Sequence, residues 1–184
     1  ESESYTAGLV YSPSYVEGVS LTLDWWRIKI DNAIIRRNVQ KGLKACNQGT
    51  QSMCDEFNIG ENGDLTHLTR SLTNVGAQDT SGIDANLAYT FEALALDWTI
   101  SNDTTYLLNF EKDDVDHTGT IDGNFGAYAQ IRNNFSIKAG QDDWSVMYFN
   151  RYIGEMDNLV EGTNVEDVLY HNVSGTFHIN DDTI

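Results

Sequence analysis

The clearest candidate for chemistry is an acidic stretch that follows the opening of a calcium-binding loop. Residues 114–122 read DVDHTGTID, which supplies carboxylates at the first and third positions, a hydroxyl at the fifth and a glycine for the turn. Phe125 stands at the twelfth position, where a bidentate carboxylate is needed, and no flanking helices are indicated. The sequence therefore favours a solvated acidic loop. The alternative is a weak calcium site whose ligands are Asp114, Asp116, Thr118 and Asp122.

The two cysteines of the chain, Cys46 and Cys54, lie close together in a polar segment. They lack the paired Cys and His spacing of a zinc site, so a local disulfide is the favoured interpretation. Two unpaired thiols in a cytosolic loop are the alternative. A bridge closing so short a loop contributes roughly 2–3 kcal/mol, enough to fasten a loop but not a domain. It would indicate an oxidising compartment.

Catalysis has no candidate residues. The four histidines are scattered over different segments, and no pair has helical metal-ligand spacing. No G-x-S-x-G signature occurs, and the one Thr-Ser-Gly series, at 80–82, stands in a strand context. The sequence predicts that the chain is not an enzyme, and it identifies no ligand-binding residue.

Composition narrows the class of protein. Lys and Arg total 11 against 28 Asp and Glu, a net charge of −17 that repels nucleic acid and anionic lipid. No apolar run approaches the roughly 20 residues of a transmembrane helix, so a helical membrane protein is excluded. No signal peptide opens the chain at Glu1, so either one has been removed or the sequence starts inside a longer protein, and we expect the second.

The elements that would position these residues are β-strands, because apolar and polar residues alternate with a period of two. Over 94–110 one parity carries Leu94, Leu96, Trp98, Ile100, Tyr106, Leu108 and Phe110, and the other carries Asp97, Thr99, Ser101, Asp103, Thr105 and Asn109. Six further stretches show the same pattern: 5–11, 19–25, 82–91, 131–139, 144–152 and 169–179. The sequence thus predicts roughly seven strands.

Short and long connections alternate between these strands. Tight turns are predicted at 12–18, 92–93 and 140–143, and long polar loops at 34–64, 111–123 and 154–167. This pattern is typical of an up-and-down antiparallel sheet whose turns lie on one rim and whose loops lie on the other, as in outer-membrane barrels. One or two helical turns are predicted within 34–44, where apolar residues approach helical spacing.

Strand length separates the two all-β alternatives. The 94–110 stretch exceeds both the ~9–11 residues that cross a bilayer and the ~5–6 residues of a typical soluble strand. Aromatic residues also concentrate near strand ends, as rings at a membrane boundary do. A transmembrane barrel is therefore favoured over a soluble β-sandwich. Bacterial barrels close with an even number of strands, so an odd count predicts an incomplete barrel.

Four blocks of the sequence resemble the C-terminal half of the barrel in TonB-dependent receptors. They are ESESYTAGLVYSP at 1–13, LTLDWWRIKIDNAI at 21–34, NVGAQDTSGIDANLAYTF at 74–91 and RYIGEMD at 151–157. The resemblance places Gly76 near a bulge and Gly82 just ahead of the apolar alternation. It implies that 1–184 is part of one barrel domain, whose plug and closing strand are not in this chain.

The resemblance also implies a function. The expected protein is an outer-membrane receptor that takes up a small ligand such as an iron chelate, cobalamin or an oligosaccharide. TonB would act through parts of the parent protein outside this chain. The alternative is a soluble β-sandwich module that binds carbohydrate or calcium. An outer-membrane hydrolase is disfavoured, because no nucleophile and base can be named.

Strand parity predicts which side chains face lipid. Successive residues of a strand point to opposite faces. The predicted lipid-facing set is Ile83, Leu87, Leu96, Trp98 and Ile100, and the predicted set facing a wet interior is Asp84, Asn86, Asp97 and Thr99.

Overall fold

A computed structural model describes residues 1–36, 39–69, 72–112, 115–122, 126–158 and 164–179. Within these residues, seven long strands build one sheet. They are β1 (Ser2–Tyr11), β2 (Val19–Arg36), β5 (Leu72–Ala93), β6 (Leu96–Lys112), β10 (Ile131–Gln141), β11 (Trp144–Ile153) and β13 (Val168–Phe177). The shorter elements are α1 (Val39–Asn47), α2 (Gln51–Cys54), β3 (Phe57–Ile59), β4 (Leu65–Leu68), β7 (Val115–Asp116), β8 (Thr120–Asp122), β9 (Gly126–Tyr128) and β12 (Asp157–Asn158).

The long strands follow one another across the sheet in chain order, and each pairs antiparallel with the next. This is the predicted up-and-down arrangement, with the predicted number of strands. β2 and β5 extend furthest beyond their predicted spans, and β5 is the longest strand at 22 residues. In the described part of the chain, β1 and β13 form the two outer edges and the sheet is not closed.

The short and long connections also alternate as predicted, but their bounds differ. The strands β5 and β10 begin at Leu72 and Ile131, later than residues 64 and 123, where the predicted loops end. The turn between β5 and β6 is formed by Leu94 and Ala95, and not by residues 92–93. Both residues have left-handed backbone angles, with φ of 56° and 59°, which a two-residue hairpin turn of the type I′ class requires. Glycine or asparagine normally marks such a turn, so the apolar pair concealed it. Leu94 is 89% exposed and belongs to the turn, not to the strand.

The register divides the side chains into two faces, which we call the apolar face and the polar face. On the apolar face, Ile83 stands opposite Tyr106, Leu87 opposite Asn102 and Tyr89 opposite Ile100. On the polar face, Asp84 stands opposite Thr105 and Asn86 opposite Asp103. Leu96 and Asp97 fall on opposite faces, so the predicted parity of both residue sets is confirmed.

One part of the parity prediction is wrong. Ser81 pairs with Asn109, whereas Gly82 pairs with Leu107, so β6 contains one extra residue, a bulge at Leu108. Beyond the bulge the alternation is inverted, and Phe110 pairs with Thr80 on the polar face. A second irregularity lies where Ala33 pairs with Gly76, so the bulge expected near Gly76 is confirmed.

Few apolar side chains are buried in this fold. Among the described residues, only Phe57, Ala129 and Met156 are buried hydrophobic side chains, and none of them belongs to a long strand. The apolar face carries Leu9, Leu21, Leu23, Trp25 and Val173 with more than a third of each surface exposed. A soluble sandwich would bury such a face against a second sheet. Within the described ranges, no second sheet packs on it.

The loop between β2 and β5 contains the two short helices and the hairpin of β3 and β4. Cys46 at the end of α1 and Cys54 at the end of α2 form a disulfide, as predicted. The helix lies further along the chain than the predicted 34–44, because β2 continues to Arg36. Phe57 is buried against Gly42 of α1. Within the described residues, no helix is both long and apolar enough to span a membrane.

The disulfide gives a direct chemical prediction. Denatured protein kept free of reductant should show no reaction of Cys46 or Cys54 with a maleimide, and reduction should expose both thiols. Peptide mass mapping measures the modification. Stoichiometric labelling of both residues before reduction would contradict the bridge.

Candidate functional site

The polar face of the sheet carries charges of both signs, and they are largely segregated. Apart from Lys112, which pairs with Gln78 at the long-loop end of β6, acidic residues occupy the strands β2, β5 and β6, and basic residues occupy β10 and β11. The acidic set is Asp24, Asp84, Glu92, Asp97 and Asp103, and the basic set is Arg132, Lys138 and Arg151. Since all of these alternate with apolar residues of the opposite face, the pleat of the strands places them on one wall.

Hydrogen bonds hold the acidic side chains against the wall. The Thr105 hydroxyl donates to Asp84 Oδ1 at 2.7 Å. Asn86 Nδ2 donates to Asp103 Oδ1, and the Ser101 hydroxyl donates to the second oxygen of Asp103 at 3.5 Å. These are cross-strand pairs and neighbours on one strand, so they orient the carboxylates without removing them from solvent. The polar face therefore presents oriented carboxylates to the solvent or ligand that lies against it.

Gly82 marks a close contact on the polar face. A Cβ added there would stand 2.4 Å from Cζ2 of Trp26, and 3.0 Å from the carbonyl oxygen of Tyr106. The indole of Trp26 therefore covers the glycine across the strand pair, the arrangement by which aromatic side chains protect strand glycines. The close approach at Gly82 is thus made chiefly by a side chain. Trp26 thus belongs to the polar face and not to a membrane boundary.

Past the bulge, Phe110 anchors a cluster of aromatic rings. It stacks on Tyr128 with ring centroids 4.0 Å apart, and His117 meets it edge-on at 6.3 Å. His117 and Thr120 are both buried, and the Thr120 hydroxyl donates to the His117 carbonyl at 2.8 Å. Arg132, from the polar face, donates to the Ala127 carbonyl at 3.0 Å. The cluster therefore stands on the polar-face side of the sheet.

Two long loops join at this cluster. The strands β8 and β12, from the loops after β6 and after β11, pair in parallel. The backbone N–H of Asp157 donates to the Gly119 carbonyl at 2.9 Å, and Met156 exchanges two backbone hydrogen bonds with Val165. Met156 and Ala129 are buried here. The described parts of these two loops therefore form one layer on the polar-face side of this rim.

Of the four predicted calcium ligands, the structure describes the side chains of two, Asp116 and Thr118, and both lie beside this layer. Asp116 and Thr118 form a turn in which the Thr118 backbone N–H donates to Asp116 Oδ1 at 2.8 Å, and Thr118 Oγ1 accepts from the Phe110 N–H. The Thr118 hydroxyl and N–H, donating to the Asp116 carboxyl, hold its pKa below the usual value. Asp114 and the Asp122 side chain lie outside the described residues. Within the described residues no group of three candidate metal ligands exists, and calcium stays a prediction.

Sequence reasoning missed two features of the site. The ring cluster was missed because the alternation assigned Phe110 to the apolar face. The bulge at Leu108 places Phe110 on the polar face instead. The contact between the two loops joins residues that are far apart in the chain, and no local sequence pattern predicts it. One available signal was the pair of aromatic residues, Phe110 and Tyr128, that flank a mostly polar loop.

The chain was compared with known protein families. The family described as "TonB dependent receptor-like, beta-barrel" matches residues 1–183. No curated protein matches the chain.

The contact between Gly82 and Trp26 predicts a steric penalty. Gly82→Ala should lower the free energy of unfolding by about 1–3 kcal/mol, because the new methyl group overlaps the indole. Trp26→Ala in the same chain should recover part of this loss. Gly175→Ala is the control, since a Cβ there meets only one atom, at 3.9 Å. Urea midpoints of the complete protein in lipid vesicles measure the changes, and equal effects at both glycines would refute the contact.

The ring cluster predicts the stability of the loop layer. Phe110→Ala should expose the backbone amides of Gly119 and Thr120 to hydrogen exchange, with a loss of local stability on the order of 2 kcal/mol. Leu108→Ala, in the bulge, should leave these amides protected. Exchange mass spectrometry of the two variants makes the comparison. Unchanged protection in the Phe110 variant would show that the rings do not anchor the layer.

Proposed function

The chain belongs to the TonB-dependent receptor-like β-barrel family, and on this premise we propose that it forms part of the wall of an outer-membrane uptake receptor. The apolar face lies against lipid, the polar face lines the lumen, and the joined loops form part of the outer vestibule. Residues 1–184 constitute part of one barrel domain. The strands that pair with β1 and β13 belong to the rest of the parent protein.

The observation that carries this proposal is the distribution of charge on the apolar face. From Ile83 to Phe91, nine residues of β5, this face holds no charged side chain. Nine residues lie within the roughly 9–11 that a tilted strand uses to cross a bilayer. The charged side chains of the apolar face lie outside this band, at the long-loop ends of the strands. They are Glu3, Arg27, Lys29, Asp79 and Glu111.

Aromatic rings mark the other boundary of the band. Tyr89, Phe91 and Trp98 stack in sequence near the short turn, with centroids 4.6 and 6.1 Å apart. The Trp98 indole N–H donates to the Ala93 carbonyl at 3.0 Å, so its polar edge points to the turn while its ring stays on the apolar face. Rings with this orientation are typical of membrane–water interfaces.

The lumen and the loop layer suit a ligand that carries both polar and charged groups. Most acidic side chains lie on one part of the lumen wall and most basic side chains on another. A ligand in the lumen would therefore meet both hydrogen-bond donors and acceptors. An iron chelate, cobalamin or an oligosaccharide fits this description. TonB, acting through parts of the parent protein outside this chain, supplies the work of transport.

Uptake in the native host tests the function. Cells lacking the protein should fail to grow when one of the three ligand classes is the limiting source of its nutrient, and the complete protein should restore growth. A variant in which 117–128 is replaced by a short Gly-Ser linker should reach the outer membrane without restoring growth. Growth of the deletion strain on all three classes, at wild-type rates, would contradict the proposal.

A pair of adjacent arginine substitutions tests the orientation of the wall. Ile100→Arg places a charge in the apolar band and should cost about 2–4 kcal/mol in a bilayer, whereas Thr99→Arg, one residue away on the polar face, should cost less than about 1 kcal/mol. Unfolding in phosphatidylcholine vesicles measures both. Equal penalties would remove the assignment of the two faces.

A further inference from the structure

The apolar face divides into two parts that differ in composition. On β2 and β5 its positions carry only aliphatic and aromatic side chains from Leu21 to Trp25 and from Ile83 to Phe91. On β6, β10, β11 and β13 the same face carries a set of hydrogen-bonded polar side chains, which we call the polar tract. Its members are Asn102, Thr104, Asn133, Tyr148, Asn150 and His171.

The polar tract lies in the middle of the membrane band. Asn102 pairs with Leu87, the central residue of the charge-free band of β5. Phe135 pairs with Asn102 on one side and with Asn150 on the other. At this depth a bilayer contains acyl chains, which neither donate nor accept hydrogen bonds, so polar side chains exposed there are costly.

Hydrogen bonds within the tract reduce this cost in part. Between β6 and β10, Asn133 Nδ2 donates to Asn102 Oδ1 at 2.8 Å and to Thr104 Oγ1 at 2.7 Å, and it lies 3.4 Å from the Asp103 carbonyl oxygen. Asn102 Nδ2 donates to Thr104 Oγ1 at 3.1 Å.

A second group of bonds joins β11 to β13. The Tyr148 hydroxyl and His171 Nδ1 are hydrogen-bonded at 2.7 Å, and Asn150 Nδ2 donates to the same hydroxyl over a long 3.5 Å. The two groups flank Phe135, so the tract extends over four neighbouring strands.

The side-chain amides of the tract keep unused groups. A primary amide has two N–H donors and one acceptor oxygen. Within the described residues, one hydrogen of Asn102 Nδ2 has no acceptor, and the side-chain oxygens of Asn133 and Asn150 have no donor. The strands β6, β10 and β11 already have both of their neighbours in this sheet, so adjacent strands of the parent protein cannot supply the missing partners.

The chemistry of the tract restricts what can cover it. The partner must both donate and accept hydrogen bonds at the depth of the hydrocarbon, which excludes acyl chains. It must also be neutral there, because the tract and the apolar side chains around it include no Asp, Glu, Lys or Arg. Side-chain amides meet both conditions for one another. A second copy of the protein presents the same amides at the same depth, because all copies have one orientation in the membrane.

The order of side chains across the strands suits a two-fold interface. Phe135 stands between Asn102 on β6 and Asn150 on β11, one strand to either side. A two-fold axis along the membrane normal near Phe135 places Asn102 of one copy on the same side as Asn150 of the second copy. An amide with an unused hydrogen is thereby brought toward an amide with an unused oxygen, and the symmetry repeats the contact.

From these observations we propose that the polar tract is the interface through which two copies of the complete protein associate side by side in the membrane, with Phe135 near the two-fold axis. The inference rests on the proposed orientation of the apolar face toward lipid. The association is reversible, because lipid competes for the apolar side chains that surround the tract. High dilution in lipid therefore yields monomers.

Oxidative cross-linking tests the interface. The complete protein, free of other reactive thiols, carries Phe135→Cys or the matched control Leu21→Cys. Leu21 lies in the same row of paired residues, three strand spacings or roughly 14 Å along the sheet. In phosphatidylcholine vesicles at high protein density, copper phenanthroline should convert about fivefold more of the Phe135→Cys protein into covalent dimer, because a disulfide requires Cβ atoms about 4 Å apart.

Two variants and a matched control define the role of the amides. Asn102→Leu and Asn133→Leu should each raise the dissociation constant of the dimer about three- to tenfold, as measured by sedimentation equilibrium in density-matched detergent micelles. Asn134→Leu should leave the constant unchanged, because Asn134 is one residue away on the polar face. A gel band that shifts on heating shows that each variant is folded.

Quenching by brominated lipid separates the inference from the function on which it rests. A fluorophore on Leu21→Cys should be quenched at every protein density. If it is quenched but cross-linking is equal at positions 135 and 21, the interface is overturned while the face stays in lipid. If it is not quenched, the proposed orientation fails and the interface fails with it. A dissociation constant that neither Asn102→Leu nor Asn133→Leu changes would also overturn the interface.

Discussion

Antiparallel pairing imposes one constraint on which the rest of this structure depends, because residues opposite one another always share a face. The alternation of β6 is therefore imposed on β5 and β10. Ile100 stands between Tyr89 and Ile137, and Thr99 stands between Thr90 and Lys138. A slip of one residue between β5 and β6 would put carboxylates among the apolar residues. The seven long strands of the described chain consequently act as a single surface with two chemically distinct faces.

A surface of this kind is unstable in water unless something covers its apolar face. Within the described residues the apolar face has no second sheet and no helix against it, and the three buried hydrophobic side chains lie in the loops. Charge is excluded from the same face except at the long-loop ends. Lipid satisfies both conditions, since it covers apolar side chains and penalises charge in its interior. The family to which the chain belongs agrees with this reading.

The number and order of the long strands could be predicted, because period-two alternation and turn lengths are local signals. The full lengths of β2 and β5 could not, since both strands continue well beyond the stretches that alternate clearly. What else could not be predicted depends on single residues that break those signals. The turn at Leu94 and Ala95 lacks glycine, and the bulge at Leu108 inverts the parity of Phe110 without any marker in the sequence. Asn102 and Thr104 are polar residues at apolar-parity positions of β6, and the structure shows both of them hydrogen-bonded to Asn133. These hydrogen bonds could not be predicted without the register between β6 and β10.

A cysteine scan along β6 measures the central claim most directly. Single cysteines placed at each position from 97 to 111 in a complete protein free of other reactive thiols carry an environment-sensitive fluorophore, in vesicles with and without brominated lipid. Quenching by bromine should alternate, strong at Trp98 and Ile100 and weak at Asp97 and Thr99, and the alternation should invert beyond Leu108, so that position 110 is unquenched. Uniform quenching, or an alternation that continues through position 110 without inversion, would contradict the two-faced wall and its bulge.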